Sequence, residues 1–223
     1  MISPDATAKP ERSYYIRWLV LISLLGFLIR IWNLETSSFD YDEAYEILHA
    51  ETQISVLVNK QDGFPPLYRW LMGNLYAFSG DDQIFRWFSA LTGSMTIVAV
   101  GLLGRRIAGA SSGLLAALFF ALSANHVLIS QLGRGYSLYV LFTTLTLLFA
   151  WRLREQSTKK DWLGFLVCAW LSIATHYFAG ILLLLLGILL LLENYFVSEN
   201  RQPAWKSTLL AAIALILCCL PLI

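Results

Sequence analysis

The sequence predicts an all-α polytopic membrane protein with about seven transmembrane helices and interfacial helices in its first outer loop. Three observations predict it. The 223 residues are 57% hydrophobic; only 14% are charged, where soluble domains carry roughly 25%; and the apolar residues gather in stretches long enough to cross a bilayer core of about 30 Å, which takes roughly 20 helical residues. A net charge of +1 supplies no basic field for nucleic acid, and so apolar a chain is not disordered. Cys168, Cys218 and Cys219 lie inside apolar runs without a Cys-x-x-Cys or Cys/His spacing, so neither a disulfide framework nor a zinc site is readable.

The first apolar stretch, Ile16 to Leu34, follows a basic flank of Lys9, Arg12 and Arg17. No small-residue cleavage site comes after it, so it reads as an uncleaved helix rather than a signal peptide. Further stretches run from Ile84 to Leu103, Gly113 to Ile129, Tyr136 to Trp151, Trp162 to Val197 and Leu209 to Ile223. As one helix the run from Trp162 would extend about 54 Å, nearly twice the hydrocarbon thickness, so it folds into a hairpin. Its corner is the polar step Thr175-His176-Tyr177, and the total becomes seven crossings.

Positively charged loops stay on the cytoplasmic side. With the N-terminus inside, the inner loops hold eleven of the sixteen Lys and Arg residues, provided that Pro66 to Ser79 does not cross. That segment is short and carries Arg69 and Asn74, which suits a helix lying at the outer surface. This orients the N-terminus to the cytoplasm and the first loop to the extracytoplasmic side; the membrane expected is the plasma (inner) membrane.

That first loop, residues 35–82, contains nine of the fifteen acids. Long structured loops on a rigid scaffold are where chemistry is placed. Its densest part is Phe39-Asp40-Tyr41-Asp42-Glu43-Ala44-Tyr45-Glu46, followed by apolar residues at helical spacing. Asp40 is positioned to cap this helix and Glu43 to close a capping box. Asp42 and Glu43 are also candidate catalytic carboxylates at the membrane surface, able to deprotonate an incoming hydroxyl near a lipid phosphate; the two readings are compatible. Asp40, Pro65, Pro66 and Tyr68 are expected to shape the pocket, the Pro-Pro step forcing an extended approach to the next helix.

Arg134, in Gly133-Arg134-Gly135-Tyr136, stands between two crossings on the outer side, where the charge bias of the loops does not explain it. It is either an arginine snorkelling to the interface or a phosphate clamp, with bidentate guanidinium bonds and glycines permitting close approach. Tyr136 adds a hydroxyl, and His176 falls on the same face as Asp42 and Arg134. Arg30 and Arg86 read as anchors without a role. His49 and His126 lack the spacing of a metal site, while a divalent ion held by the outer carboxylates stays open.

The order of these motifs resembles the GT-C superfamily of membrane glycosyltransferases, nearest to the protein O-mannosyltransferase and aminoarabinose transferase type, glycosyltransferase family 39. The residues that carry the resemblance are Asp42-Glu43 after the first helix, Pro65 to Tyr68, Phe85 to Leu91, Gly104-Arg105-Arg106, Arg134 to Ser137, and Thr175 to Phe178. It implies transfer of a sugar from a polyprenyl-phosphate donor to an extracytoplasmic acceptor (protein, lipid or glycan), with Asp42 as catalytic carboxylate, Glu43 as its partner, and Arg134 near the donor phosphate. Two positions depart from the pattern: Phe64 stands where some relatives have Lys or His, and Gly135 where some carry Asp, so sugar and acceptor identity are left open. The family's core is followed by further helices and often a soluble domain. The chain is therefore expected to be the N-terminal transmembrane module, residues 1–223, of a longer enzyme.

Two other functions fit a chain of this kind. A transporter or flippase for a lipid-linked sugar calls for ionisable groups or broken helices near the bilayer midplane, whereas the polar groups here cluster at one face. A membrane assembly protein would use the acidic loop only to bind a partner. The sugar-transfer reading requires Asp42 and Arg134 to meet at one cavity.

Overall fold

A computed structural model describes residues 5–50, 65–156 and 158–197. Among the described residues every regular element is a helix: α1 (Asp5–Ile31), α2 (Tyr41–Ala50), α3 (Leu67–Ser79), α4 (Ile84–Ala108), α5 (Ala110–Ala121), α6 (Ala124–Gln131), α7 (Tyr136–Glu155), α8 (Lys159–Thr175) and α9 (Ala179–Val197). Among the described residues three helical segments are long and apolar enough to cross a bilayer: Ser13–Ile31, Ile84–Ala108 and Tyr136–Glu155.

The long helices present apolar side chains outward. Ile16, Leu21, Leu24, Leu25 and Leu28 of α1 are all exposed, as are Leu184, Leu185 and Leu189 of α9. Polar residues inside the long helices are satisfied locally: Thr92, Ser94 and Thr96 of α4, and Thr143, Thr144 and Thr146 of α7, each donate a hydroxyl to a carbonyl one turn earlier.

Helix α4 is the axis of the bundle, packed against α1, α3, α5, α6 and α7, while α8 lies on α7. Small residues let α4 and α5 approach closely; a Cβ added at Gly113 would stand 2.7 Å from the Arg105 amide nitrogen and 2.7 Å from the Gly101 carbonyl oxygen. The turn between them is made at Gly109, whose φ of 89° lies in the region that favours glycine.

One expected crossing takes a different form. The stretch from Gly113 to Ile129 is two helices, α5 and α6, meeting at 57°. The bend is held by Arg30 of α1, buried without exposure. Its guanidinium donates to the carbonyls of Gly26 (2.8 Å), Ala121 (3.1 Å) and Phe120 (3.5 Å), to Nδ1 of His126 (2.7 Å) and to the Ser130 hydroxyl (3.3 Å). Hydrocarbon offers no partner to carbonyls freed at a break, so a buried donor from a neighbouring helix is what makes the break tolerable. Arg30 is thus a staple between α1, α5 and α6 rather than a surface anchor.

The long apolar run divides at His176–Phe178 into α8 and α9, as its length demands. The stretch Leu209 to Ile223, expected as the seventh crossing, lies outside the described residues, as do Cys218 and Cys219; Cys168 is free and buried. Helix α3 has 13 residues, too short to span.

The bundle has two chemically distinct ends. At one, Arg106 pairs with Glu155, Arg152 with Asp161 at 2.6 Å, and Arg105 lies 4.4 Å from the Tyr15 ring, so the basic loops gather around the start of α1. The other end holds α2, α3, the α6–α7 junction and the α8–α9 corner. There Ile47, Tyr68, Met72, Phe85 and Leu138 make an apolar cluster that ties α2, α3, α4 and α7 together.

Candidate active site

Helix α2 begins with the reciprocal cap expected from its sequence. The Glu43 amide donates to the Asp40 carboxylate at 2.7 Å, and the Asp40 amide donates back to Glu43 at 3.1 Å. Adjacent side chains on a helix diverge by about 100°, so Asp42 and Glu43 leave this rigid start in different directions.

Glu43 turns inward and is 1% exposed. Arg86, at the head of α4, donates Nε to one carboxylate oxygen at 2.8 Å and Nη2 to the other at 2.7 Å; the Gly133 amide adds a third bond at 2.6 Å. Burial alone pushes the Glu43 carboxyl upward, but the Arg86 hydrogen bond, the Gly133 and Asp40 amides and the Arg86 charge outweigh it and hold the group below its usual range. Arg86 also binds the carbonyls of Leu34, Ser37 and Ser38, and so pins the chain leaving α1. The geometry gives Arg86 a structural position that its sequence reading as an anchor did not.

Asp42 turns outward. Its side chain is 62% exposed, and its carboxylate meets the Arg134 guanidinium at 2.7 Å. Arg134 is 8% exposed. Ser89 of α4 donates to its carbonyl at 3.1 Å, and its guanidinium carbon stands 5.4 Å from the Tyr136 ring centre. Glu43 and Arg134 are linked through Gly133, whose amide Glu43 fixes. Two residues brought together from positions 92 apart in sequence therefore depend on one buried carboxylate.

Arg134 opens onto a cleft lined by Glu46, Pro65, Tyr68, Arg69, Arg134, Gly135, Tyr136, Thr175 and His176. Of the residues expected at the site, Arg134, Tyr136, His176, Pro65 and Tyr68 line this cleft, and Asp42 stands at its edge on Arg134. Glu43, Asp40 and Pro66 are not among its lining residues. Asp40 and Pro66 shape it through the helix starts they make, Pro66 preceding the first residue of α3.

His176 lies 6.0 Å from the Tyr136 ring, 5.2 Å from Tyr139 and 4.9 Å from Phe178. Burial, and then the Arg134 charge, lower its pKa. Burial, followed by the Glu46 charge, drives the Tyr68 hydroxyl well above its ordinary value, against a lowering by Arg134; Tyr68 thus sits in the fields of both.

Glu46 and Arg69 are the charged lining residues that sequence reasoning missed; Gly135 and Thr175 also line the cleft without having been expected at the site. Glu46 and Arg69 pair at 3.0 Å, with side chains only 6% exposed each. The available signal was that Glu46 lies three and four residues after Glu43 and Asp42, on one helix face. Among the described residues no group of three His, Cys, Asp or Glu side chains converges as a metal site.

No curated protein matches the chain. A family model does, over residues 64–223, more than two thirds of the length: that of the dolichyl-phosphate-mannose-protein mannosyltransferases. This family implies a lipid-linked sugar donor and a membrane environment. The matched region contains α3 to α9 with Arg86, Arg134 and His176, and the cleft they build is completed by α2 just upstream. By this match the chain belongs to the dolichyl-phosphate-mannose-protein mannosyltransferase family and is a membrane glycosyltransferase of the GT-C type.

Proposed function

We propose that this protein transfers a sugar from a polyprenyl-phosphate donor to a hydroxyl-bearing acceptor on the extracytoplasmic side, with Asp42 as general base and Arg134 at the donor phosphate. The observation that carries the reading is the Asp42–Arg134 contact of 2.7 Å at the edge of the cleft. The acceptor oxygen attacks the anomeric carbon while its proton passes to Asp42. The bond from that carbon to the phosphate oxygen breaks, and the electron pair leaves with the polyprenyl phosphate. Attack opposite the leaving group inverts the anomeric centre.

Arg134 serves this step because the phosphate gains negative charge as the bond breaks, and a guanidinium held beforehand stabilises that charge more in the transition state than before it. The same guanidinium keeps the base beside the reacting centre. Glu43 positions rather than reacts, since its oxygens are engaged by Arg86, Gly133 and Asp40. Gathering of Arg105, Arg106, Arg152 and Arg154 at the opposite end of the bundle supports a cytoplasmic location for that end and an outer location for the cleft.

Incubation of the full-length protein in membranes with radiolabelled polyprenyl-phosphate sugars tests the reading. Label should move into a protein, lipid or glycan fraction with inversion at the anomeric carbon. Absence of transfer from every such donor, or transfer from a nucleotide sugar instead, overturns it.

A further inference from the structure

The cleft contains a second ion pair that the transfer chemistry above does not use. Glu46 projects from α2 one turn beyond Asp42, and Arg69 from the first turn of α3; Arg69 Nε donates to Glu46 Oε2 at 3.0 Å. Glu46 is 5% exposed and Arg69 7%. The Arg69 guanidinium also lies 5.4 Å from the Tyr45 ring centre, which fixes its plane. Removing two charges from water is costly, and a strut between α2 and α3 is made as well by apolar packing. Both residues nevertheless line the same cleft as Arg134, Tyr136 and His176.

We propose that Glu46 and Arg69 form the sugar-reading subsite of this cleft, the carboxylate accepting from one hydroxyl of the donor sugar and the guanidinium donating to its neighbour. This rests on the donor reading given above. A carboxylate is acceptor only and a guanidinium donor only, so the pair recognises adjacent hydroxyls, each of which both donates and accepts. Buried groups built to meet hydroxyls discriminate strongly, because an analogue lacking one leaves the protein group unpaired.

The test measures affinities of the full-length protein for bare polyprenyl phosphate, polyprenyl-phosphate mannose and its 2-, 3-, 4- and 6-deoxy analogues. The wild type should bind the mannose donor more tightly than the bare lipid. It should lose about 10- to 100-fold, the range for hydrogen bonds to charged groups, at two adjacent deoxy positions. Glu46→Gln should abolish the discrimination at one of these positions and Arg69→Lys at the other, with bare polyprenyl phosphate bound as before. That last measurement reports an intact fold and phosphate site.

Deoxy discrimination unchanged in both variants, or a wild type that binds the bare lipid and all sugar-bearing donors alike, overturns the subsite. If the wild type fails to bind bare polyprenyl phosphate, or Arg134→Ala leaves that binding unaltered, the donor reading itself falls.

Discussion

Glu43 and Arg86 form a buried two-bond ion pair, at 2.8 and 2.7 Å, that joins the start of α2 to the head of α4. Because Glu43 also accepts from the Gly133 amide, the pair fixes the residue next to Arg134. The end of the molecule that holds the cleft is thus mounted on a buried salt bridge.

The first prediction concerns that mount. Breaking a buried pair by removing one charge costs about 3–5 kcal/mol, so Glu43→Gln should lower thermal stability in detergent sharply. The effect depends on pH in a definite direction. Glu43 is held below its usual range in the folded state, so on acidification the unfolded chain takes up the proton first, near pH 4. Its stabilisation is complete above that pH and declines as pH falls through the folded value. Glu43→Gln should flatten this part of the stability profile; an unchanged acid limb in the variant refutes the assignment.

The second prediction separates base from mount. Asp42→Asn should slow transfer by about 10²- to 10⁴-fold, the usual worth of general-base help. Donor affinity should be retained or increased, because the carboxylate that shares Arg134 with the phosphate is gone. Single-turnover rates and equilibrium binding measured side by side decide it. A variant that turns over normally removes Asp42 from the reaction.

How much of this was readable beforehand follows from the range of each interaction. The Asp40–Glu43 cap was legible because both partners lie within one helical turn. The helix break between Thr175 and Ala179 was legible because the apolar run is too long for one crossing. The Glu43–Arg86 and Glu46–Arg69 pairs were not, since they span 43 and 23 positions and depend on how α2 is laid against α3 and α4. The bend between α5 and α6 was hidden for another reason: Leu122-Ser123 does not interrupt hydropathy, and the donors that make the break tolerable come from Arg30, about 90 residues earlier.

The third prediction uses a glycine that no side chain can replace. A Cβ at Gly133 would stand 2.9 Å from the Phe85 Cβ and 3.2 Å from a Glu43 carboxylate oxygen. A Cβ cannot swing away, so the α6–α7 junction must move off α4, at a cost of about 1–3 kcal/mol for overpacking. Gly133→Ala should therefore lower the melting temperature and, by displacing Arg134, raise the KM for the donor. Retention of both wild-type values contradicts the close packing.

The last prediction tests the staple at the broken crossing. All five N–H groups of Arg30 point at named acceptors on α1, α5 and α6. In Arg30→Met the carbonyls of Phe120 and Ala121 and the His126 ring lose a donor in a place where water does not replace it. Each buried polar group left unpaired costs about 1–3 kcal/mol. Arg30→Lys should rescue only in part, because an ammonium is a point charge with three donors and lacks the planar fork that reaches both sides of the bend. The expected order of thermal stability is wild type, then Lys, then Met. Donor discrimination measured in the surviving folded fraction should match the wild type, since Arg30 does not line the cleft. Equal stability of the Lys variant and the wild type would show that charge, rather than the geometry of the guanidinium, holds α5 and α6 at their angle.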